Sequence, residues 1–593
     1  MTIIIDKFTT KWFITILGVF LLSFNTISAQ CPNINSPCRC APSIYEPVAI
    51  ICENAGSLSN VINAIEQAKS VPIDSLTIVD TAIPTIPPNV FSDFTILRLV
   101  MNRNTLETIQ NGAFSGNMLD SLVELDLSDN NLRQVPQQGL PALRSLRKLY
   151  LNRNRISTLS PVAFDNYYSK DKLLKLEIAG NRLTNGAFSG SNVLRALTSL
   201  AELSLETNSL TQIPSYALAG CRETLVNLNL GLNQINQVPV GALDFPKLTS
   251  LSLEFNGIVT IIPQAFQGIP TLQYLYITGN KFPRWNPEMF FYIKQLRTLG
   301  IGETPISIIP ADAFKYLPNL IRLEMSEAAV YQIDQGAFQQ TKLIQAIIMN
   351  RNRLNEVRSD YFTGLNDLYS IDLQNNRIEK VDEAAFANLP SLRHLDISYN
   401  LIQTMPTNTF TNSFFPEPND RRVIYACANP WLCDSRLEWF RQLLRSNADI
   451  DIDKPGCVSQ CITPTNNGCP PVGTPLRDID NCPIADNPLP LSSSALNMVG
   501  WIILAVVLTI LLISICLMAI LRYGMSHRRK KQKDQEMEEN QFATSGASVY
   551  QASMVNGGTP IQQSAQHHYA QSAVDLDLPP AYNLDNTPTN YMY

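Results

Sequence analysis

The chain has 593 residues, 45% apolar and 16% charged, with 12 cysteines, 4 histidines and a net charge of −6. That apolar content admits a large folded core and excludes wholesale disorder, a collagen-like chain and a polytopic transporter. The mild acidic balance, without a basic domain, argues against a nucleic-acid binder, because phosphate neutralisation needs clustered Lys and Arg.

In chain order, residues 1–29 carry Lys7 and Lys11 ahead of an apolar run from Trp12 to Leu22, then the small residues Ser28 and Ala29. This layout reads as a secretory signal peptide cut near Gln30, since the run is too short to cross a bilayer core of about 30 Å. The chain beyond it then folds in an oxidising compartment, where cysteines pair.

A repeat follows. The pattern L-x-x-L-x-L-x-x-N-x-L places asparagine at positions 104, 130, 154, 181, 208, 233, 256, 280, 352, 376 and 400. Thr81, Thr304 and Ala328 fill the same slot, making 14 repeats over residues 73–412 at spacings of 23 to 27 residues. A second register runs in phase: ten residues past the slot stand Phe91, Phe114, Phe164, Phe266, Phe290, Phe314, Phe338, Phe362, Phe386 and Phe410. Each unit supplies one short strand with inward leucines and a return segment, and only stacked units bury the apolar edge. Asparagine recurs because its amide both donates and accepts inside a tight turn. Threonine does half of that and alanine none, so Pro305 to Val330 is either a local bend or tolerated drift.

These residues resemble the extracellular leucine-rich-repeat family over about residues 31–482. The resemblance implies an α/β solenoid, a curved horseshoe with a concave parallel β-sheet and disulfide caps. Cys31, Cys38, Cys40 and Cys52 have the C-x6-C-x-C-x11-C layout of the family's N-terminal cap (residues 30–72), which implies the pairs Cys31–Cys40 and Cys38–Cys52. From Asn429, NPWLCDSRLEWFRQLL resembles the C-terminal cap (413–482), but Ser435 stands where the family has a second cysteine. Cys427, Cys433, Cys457, Cys461, Cys469 and Cys482 form an even set whose pairing the sequence leaves open. Cys221 occupies a leucine position of the repeat and reads as a buried, inert thiol.

Catalysis finds little support. The ectodomain has one histidine, His394, so no His-based metal site or H-E-x-x-H helix can be built, and no G-x-S-x-G elbow occurs. The expectation is a non-enzyme without metal or cofactor. Function is expected on the concave face, where Phe255, Tyr274 and Tyr276 on adjacent repeats lie near Leu232 and Glu254, the residue types that dominate protein interfaces. Nearer the N-terminus, Arg98, Arg103, Arg147, Lys148 and Arg153 alternate with Glu124, Asp126 and Asp129, a mixed surface suited to orienting a charged partner. No N-x-[ST] sequon occurs in the chain, so both faces are free of N-linked glycan.

After a linker (483–497), Met498 to Leu521 is an uncharged run of 24 residues, long enough to span a membrane. Arg522, Arg528, Arg529, Lys530, Lys531 and Lys533 follow it, which puts the C-terminus in the cytosol. The tail, 522–593, is polar and reads as disordered. Within it Leu578, Pro579, Pro580 and Tyr582 form LPPAY, which resembles the PPxY ligand of WW domains. That resemblance implies a WW-domain ubiquitin ligase as cytoplasmic partner, with Lys530, Lys531 and Lys533 as acceptors. The whole reads as a type I plasma-membrane receptor for recognition or adhesion, binding an extracellular protein or a second copy of itself. The alternatives are an innate-immune decoy or co-receptor and a tie from membrane to matrix.

Overall fold

The computed structural model describes residues 31–188, 193–416, 421–462 and 472–478. The signal segment, Cys469, Cys482, the apolar run 498–521 and the tail motif at Leu578 to Tyr582 lie outside the described residues. Among the described residues, no helix is long and apolar enough to cross a membrane.

The described residues build one sheet of 18 strands. Its first pair, Cys38–Cys40 and Ala49–Glu53, is antiparallel; from Ala49–Glu53 to the last strand, Ile450–Asp451, every strand runs parallel to the next. Most strands are only three residues long, with an aliphatic residue in the middle. Leu125, Leu149, Leu176, Leu203, Leu228, Leu251 and Leu275 align across neighbouring strands and are buried. Because side chains alternate along a strand, the residues flanking each leucine face outward on the opposite, concave side.

Behind the sheet the asparagines form a ladder. Asn233 is typical: its Oδ1 accepts from the Leu210 amide of the preceding repeat at 3.0 Å, while its Nδ2 donates to the carbonyls of Leu205, Leu230 and Gly231 at 3.0–3.1 Å. The same exchange recurs at Asn130, Asn154, Asn208, Asn256, Asn352, Asn376 and Asn400. It runs one rung beyond the 14 slots of the sequence pattern. Asn429, in the cap, accepts from Ile402 at 3.0 Å and donates to Ile397 at 2.9 Å.

The turn at each slot puts the preceding residue in the left-handed region, including Arg153, Leu232, Phe255 and Arg351 before asparagines and Glu327 before Ala328, at φ of about +50°, and Gly279 at +71°. Thr304 and Ala328 do not interrupt the sheet. The strands Thr298–Gly300, Arg322–Glu324 and Ala346–Ile348 stay in register past them. Flanking support comes from a short parallel pair, Ile308–Ile309 with Gln332–Ile333. An equivalent pair, Glu356–Val357 with Lys380–Val381, flanks repeats that keep asparagine, so this pairing accompanies the slot whether or not it drifts.

The phenylalanines of the second register are buried and stack across repeats, with Phe314 and Phe338 centroids 5.1 Å apart and Phe386 and Phe410 5.8 Å apart. Each end of the core is closed. At the N-terminus Cys31 pairs with Cys40 and Cys38 with Cys52, and the helix Leu58–Ala64 packs Val61 and Ala64 inward. At the C-terminus Cys427 pairs with Cys457 and Cys433 with Cys461. There the helix Glu438–Ser446 buries Phe440 and Leu444, and Arg422 makes a two-pronged pair with Asp449. Cys427 thus takes up the pairing that Ser435 does not.

Asn233→Ala removes one acceptor and one donor from the buried turn while leaving the backbone groups that met them. The expected loss is roughly 3 kcal/mol in denaturant unfolding, larger than for alanine at an exposed asparagine such as Asn236. Equal midpoints for the two variants would count against the ladder as a main support.

Candidate protein-binding face

Three stretches make up the concave face, distinguished by what flanks the buried leucines. The first is charged, and its charges hold one another. Arg98 contacts Glu46 and Glu124, both at 3.1 Å, and Lys148 reaches Glu124 at 3.2 Å. Lys175 lies between Glu177 and Glu202, 3.1 Å from each; burial alone would lower its pKa, but these hydrogen bonds prevail and raise it. On the rim formed by the left-handed turns, Arg103 pairs with Asp80 and Arg153 with Asp129. Asp126 accepts from Asn102 and from the Ser128 amide, and Arg147 stays exposed. The alternating charges of the sequence are thus largely paired across repeats.

The second stretch is a depression of about 500 Å³ lined by small polar residues, Asn227, Asn229, Ser250 and Ser252, and by Arg153, Lys175, Glu177, Glu202, Glu206, Glu254 and Tyr276. Tyr274 and Tyr276 point to the same face from the strand Tyr274–Tyr276, with Tyr274 exposed and Tyr276 half-buried. Leu232 and Phe255 are not strand residues. They occupy the left-handed turn before Asn233 and Asn256, so they stand on the rim, where Leu232 is 45% and Phe255 40% exposed. Backbone bonds tie the group together: the Leu232 amide donates to Glu254 O at 2.8 Å and the Phe255 amide to Thr278 O at 2.7 Å. The structure therefore puts Glu254 and Tyr276 in the depression, Leu232 and Phe255 on the rim through a turn geometry that strand alternation does not reveal, and Tyr274 at the other end of the strand that carries Tyr276. Burial raises the Glu254 carboxyl above its ordinary range; Thr278 and Ser252 lower it by hydrogen bonding, while Glu324 and Glu206 add like-charge repulsion. Burial likewise raises the Tyr276 phenol.

In the third stretch, His394 stands 3.4 Å from Ser370 Oγ, with its ring edge-on to Tyr425 at 5.7 Å. Lys454, from the C-terminal cap, pairs with Asp396, donates to Gln374 at 2.8 Å and lies over the Tyr425 ring at 5.4 Å. The sequence pattern did not place Lys454 here, because it comes from a cap loop outside the repeat register. Cys221 is a buried free thiol that donates to Leu218 O, and burial pushes its pKa up to about 11. Among the described residues, no group of His, Cys, Asp or Glu could hold a metal ion.

Comparison with known proteins agrees with this architecture. The "Leucine rich repeat" family model matches residues 120–183, 198–258, 223–282, 246–306, 344–402 and 366–412. Lumican of Gallus gallus is 34% identical over 212 residues, covering 34% of this chain and 57% of that protein. Keratocan of Mus musculus is 30% identical over 269 residues, covering 44% of this chain and 69% of that one. The chain thus spans little more than half the length of the lumican it matches. Among solved structures, a leucine-rich-repeat protein of Leptospira interrogans superposes with a TM-score of 0.53 at 20% identity, over 66% of this chain and 92% of the other. This chain belongs to the leucine-rich-repeat family.

Burial lowers the His394 pKa from its ordinary 6.5; Asp396 and Asp372 oppose the shift, and Lys454 adds to it. A histidine that protonates more readily unfolded than folded removes stability as pH falls through 6.5 toward its folded value. Unfolding of the wild type at pH 7.5 and pH 5.5 should therefore show a larger acid loss than in His394→Gln. Parallel losses in the two proteins would show that His394 is not a source of the acid sensitivity.

Proposed function

We propose that this protein is a single-pass type I plasma-membrane receptor. Its leucine-rich-repeat ectodomain recognises a protein ligand, on another cell or on a second copy of itself, through the face around Leu232, Glu254, Phe255, Tyr274 and Tyr276. The observation that carries this reading is the aromatic group itself. Phe255 and Tyr274 stand about two-fifths exposed on adjacent repeats, beside Leu232, on a rigid sheet whose other charged positions are mostly paired. Large apolar side chains held in place on a preformed surface are the usual anchors of a protein interface. Met498 to Leu521, with its basic flank, supplies the membrane anchor and orientation, and Leu578, Pro579, Pro580 and Tyr582 supply a docking peptide for a WW-domain ubiquitin ligase that sets receptor turnover.

The test of recognition uses residues 30–497, multimerised for avidity and applied to cells that display a library of surface ectodomains including this one. The expected outcome is binding to a membrane protein or to itself, lost in Tyr274→Ala/Tyr276→Ala. Silence across the library, with binding to microbial or matrix material instead, would replace this reading with a decoy receptor or a membrane-to-matrix tie. The tail is tested separately by pulse-chase. Tyr582→Ala should lengthen the surface half-life severalfold, and an unchanged half-life removes the ligase from the account.

A further inference from the structure

The aromatic group has a floor as well as an exposed side. A Cβ placed on Gly279 would come 2.7 Å from Phe255 Cε1, so the ring fills the space a side chain there would need. One strand along, a Cβ on Gly300 would meet Tyr276 Cδ1 at 3.0 Å. Each ring therefore rests on bare backbone of the following repeat. At Gly279 the requirement is double, since φ of +71° already disfavours any side chain.

Beside these rings carboxylates outnumber cations, for the depression is lined by Glu177, Glu202, Glu206 and Glu254 against Arg153 and Lys175. Glu254 is adjacent to Phe255 in sequence and lines the depression with Tyr276 and Glu206. The cations nearby are committed elsewhere: Lys175 to Glu177 and Glu202, Arg153 to Asp129, and Arg322 to Glu324. Among the described residues, neither Glu254 nor Glu206 joins an ion pair. Glu254 accepts only from hydroxyls, and its raised pKa reflects burial and like charge without a counter-ion.

We propose that Phe255, Tyr276 and Glu254 receive an arginine side chain of the protein ligand, the rings taking the face of the guanidinium and the carboxylate its N–H groups. The chemistry selects this occupant. A guanidinium is planar, so it stacks on aromatic rings while donating in a fork to a carboxylate; an ammonium does the second but stacks less well. An anionic ligand would meet uncompensated carboxylates, and a purely apolar one would strip water from Glu254 without replacing it. The inference rests on the concave-face reading above and names the partner's chemistry at that face.

The test uses the purified full chain in a non-ionic detergent and two fluorescein-labelled peptides of alternating glycine and arginine or glycine and citrulline, the latter being arginine's uncharged isostere. Binding is followed by polarisation at 0.1 M salt. The arginine peptide should bind at least tenfold more tightly than the citrulline peptide. Glu254→Gln and Phe255→Leu should each weaken it about tenfold, whereas Glu223→Gln, which removes an equal charge outside the depression, should leave it within twofold. Leucine is already tolerated at the equivalent turn position, Leu232, so Phe255→Leu keeps the fold while removing the ring. No preference for arginine over citrulline, or equal weakening by all three variants, would overturn the proposal. If the display screen yields a ligand whose binding survives Glu254→Gln, this inference fails while protein recognition stands. Arginine-peptide binding with an empty screen would give the reverse.

Discussion

Everything in this solenoid depends on one buried amide. A parallel stack of three-residue strands leaves a turn at the end of every strand with backbone donors and acceptors inside the core, where an unmet group costs about 1–3 kcal/mol. The ladder asparagine meets them from both sides, joining the amide of the repeat before to carbonyls of two repeats. The turn it serves has a left-handed residue just before the slot, a conformation kept even where Thr81, Thr304 and Ala328 replace asparagine. The need for such a partner explains why the ladder enters the C-terminal cap at Asn429: the last turn has the same unmet groups as the others.

A constraint that belongs to the core thereby produces a display row on the surface. The residue before the slot turns away from the core, so the repeats line up one position each on the rim, filled by a side chain except where Gly180 and Gly279 stand. Along that row Asp80 and Arg103 pair, Asp129 and Arg153 pair, and Glu327 and Arg351 pair. Between the second and third pairs the row changes character, and Leu232 and Phe255 stand there without ionic partners. The depression lined by Glu254 and Tyr276 lies beside the same interval. Rim and sheet change from charged to aromatic and small polar residues at neighbouring repeats, and this coincidence marks the face.

Much of this was legible in the sequence because both periodic signals arise from burial. Asparagine at the slot and phenylalanine ten residues on are there for groups that have no alternative partner in the core, so their spacing survives variation elsewhere. The candidate face was legible in its residue types but not in its geometry: nothing in the leucine alternation says that Phe255 sits in a turn while Tyr276 sits in a strand. Lys454 was illegible for another reason. It reaches Asp396 and the Tyr425 ring from a cap loop held by the Cys427–Cys457 disulfide, and no repeat register carries that information. At Thr304 and Ala328 the asparagine is lost, yet the strand register runs unbroken across that stretch.

The glycine floors bear on how tightly such a face can bind. A side chain that must be ordered on association costs about 0.5–1.5 kcal/mol, and an exposed aromatic free to rotate would meet that cost at the interface. Phe255 is held against Gly279 and Tyr276 against Gly300 before any partner arrives, so most of that cost falls within folding. On the proposed reading the two glycines belong to the recognition surface although neither offers a group to touch. Substituting either would lift a ring off its floor and change the spacing between ring and carboxylate, which is the dimension a planar cation would read. The repeat thus fixes the backbone, the absence of two side chains fixes the rings, and the residual charge of Glu254 sets the sign of what those rings can hold.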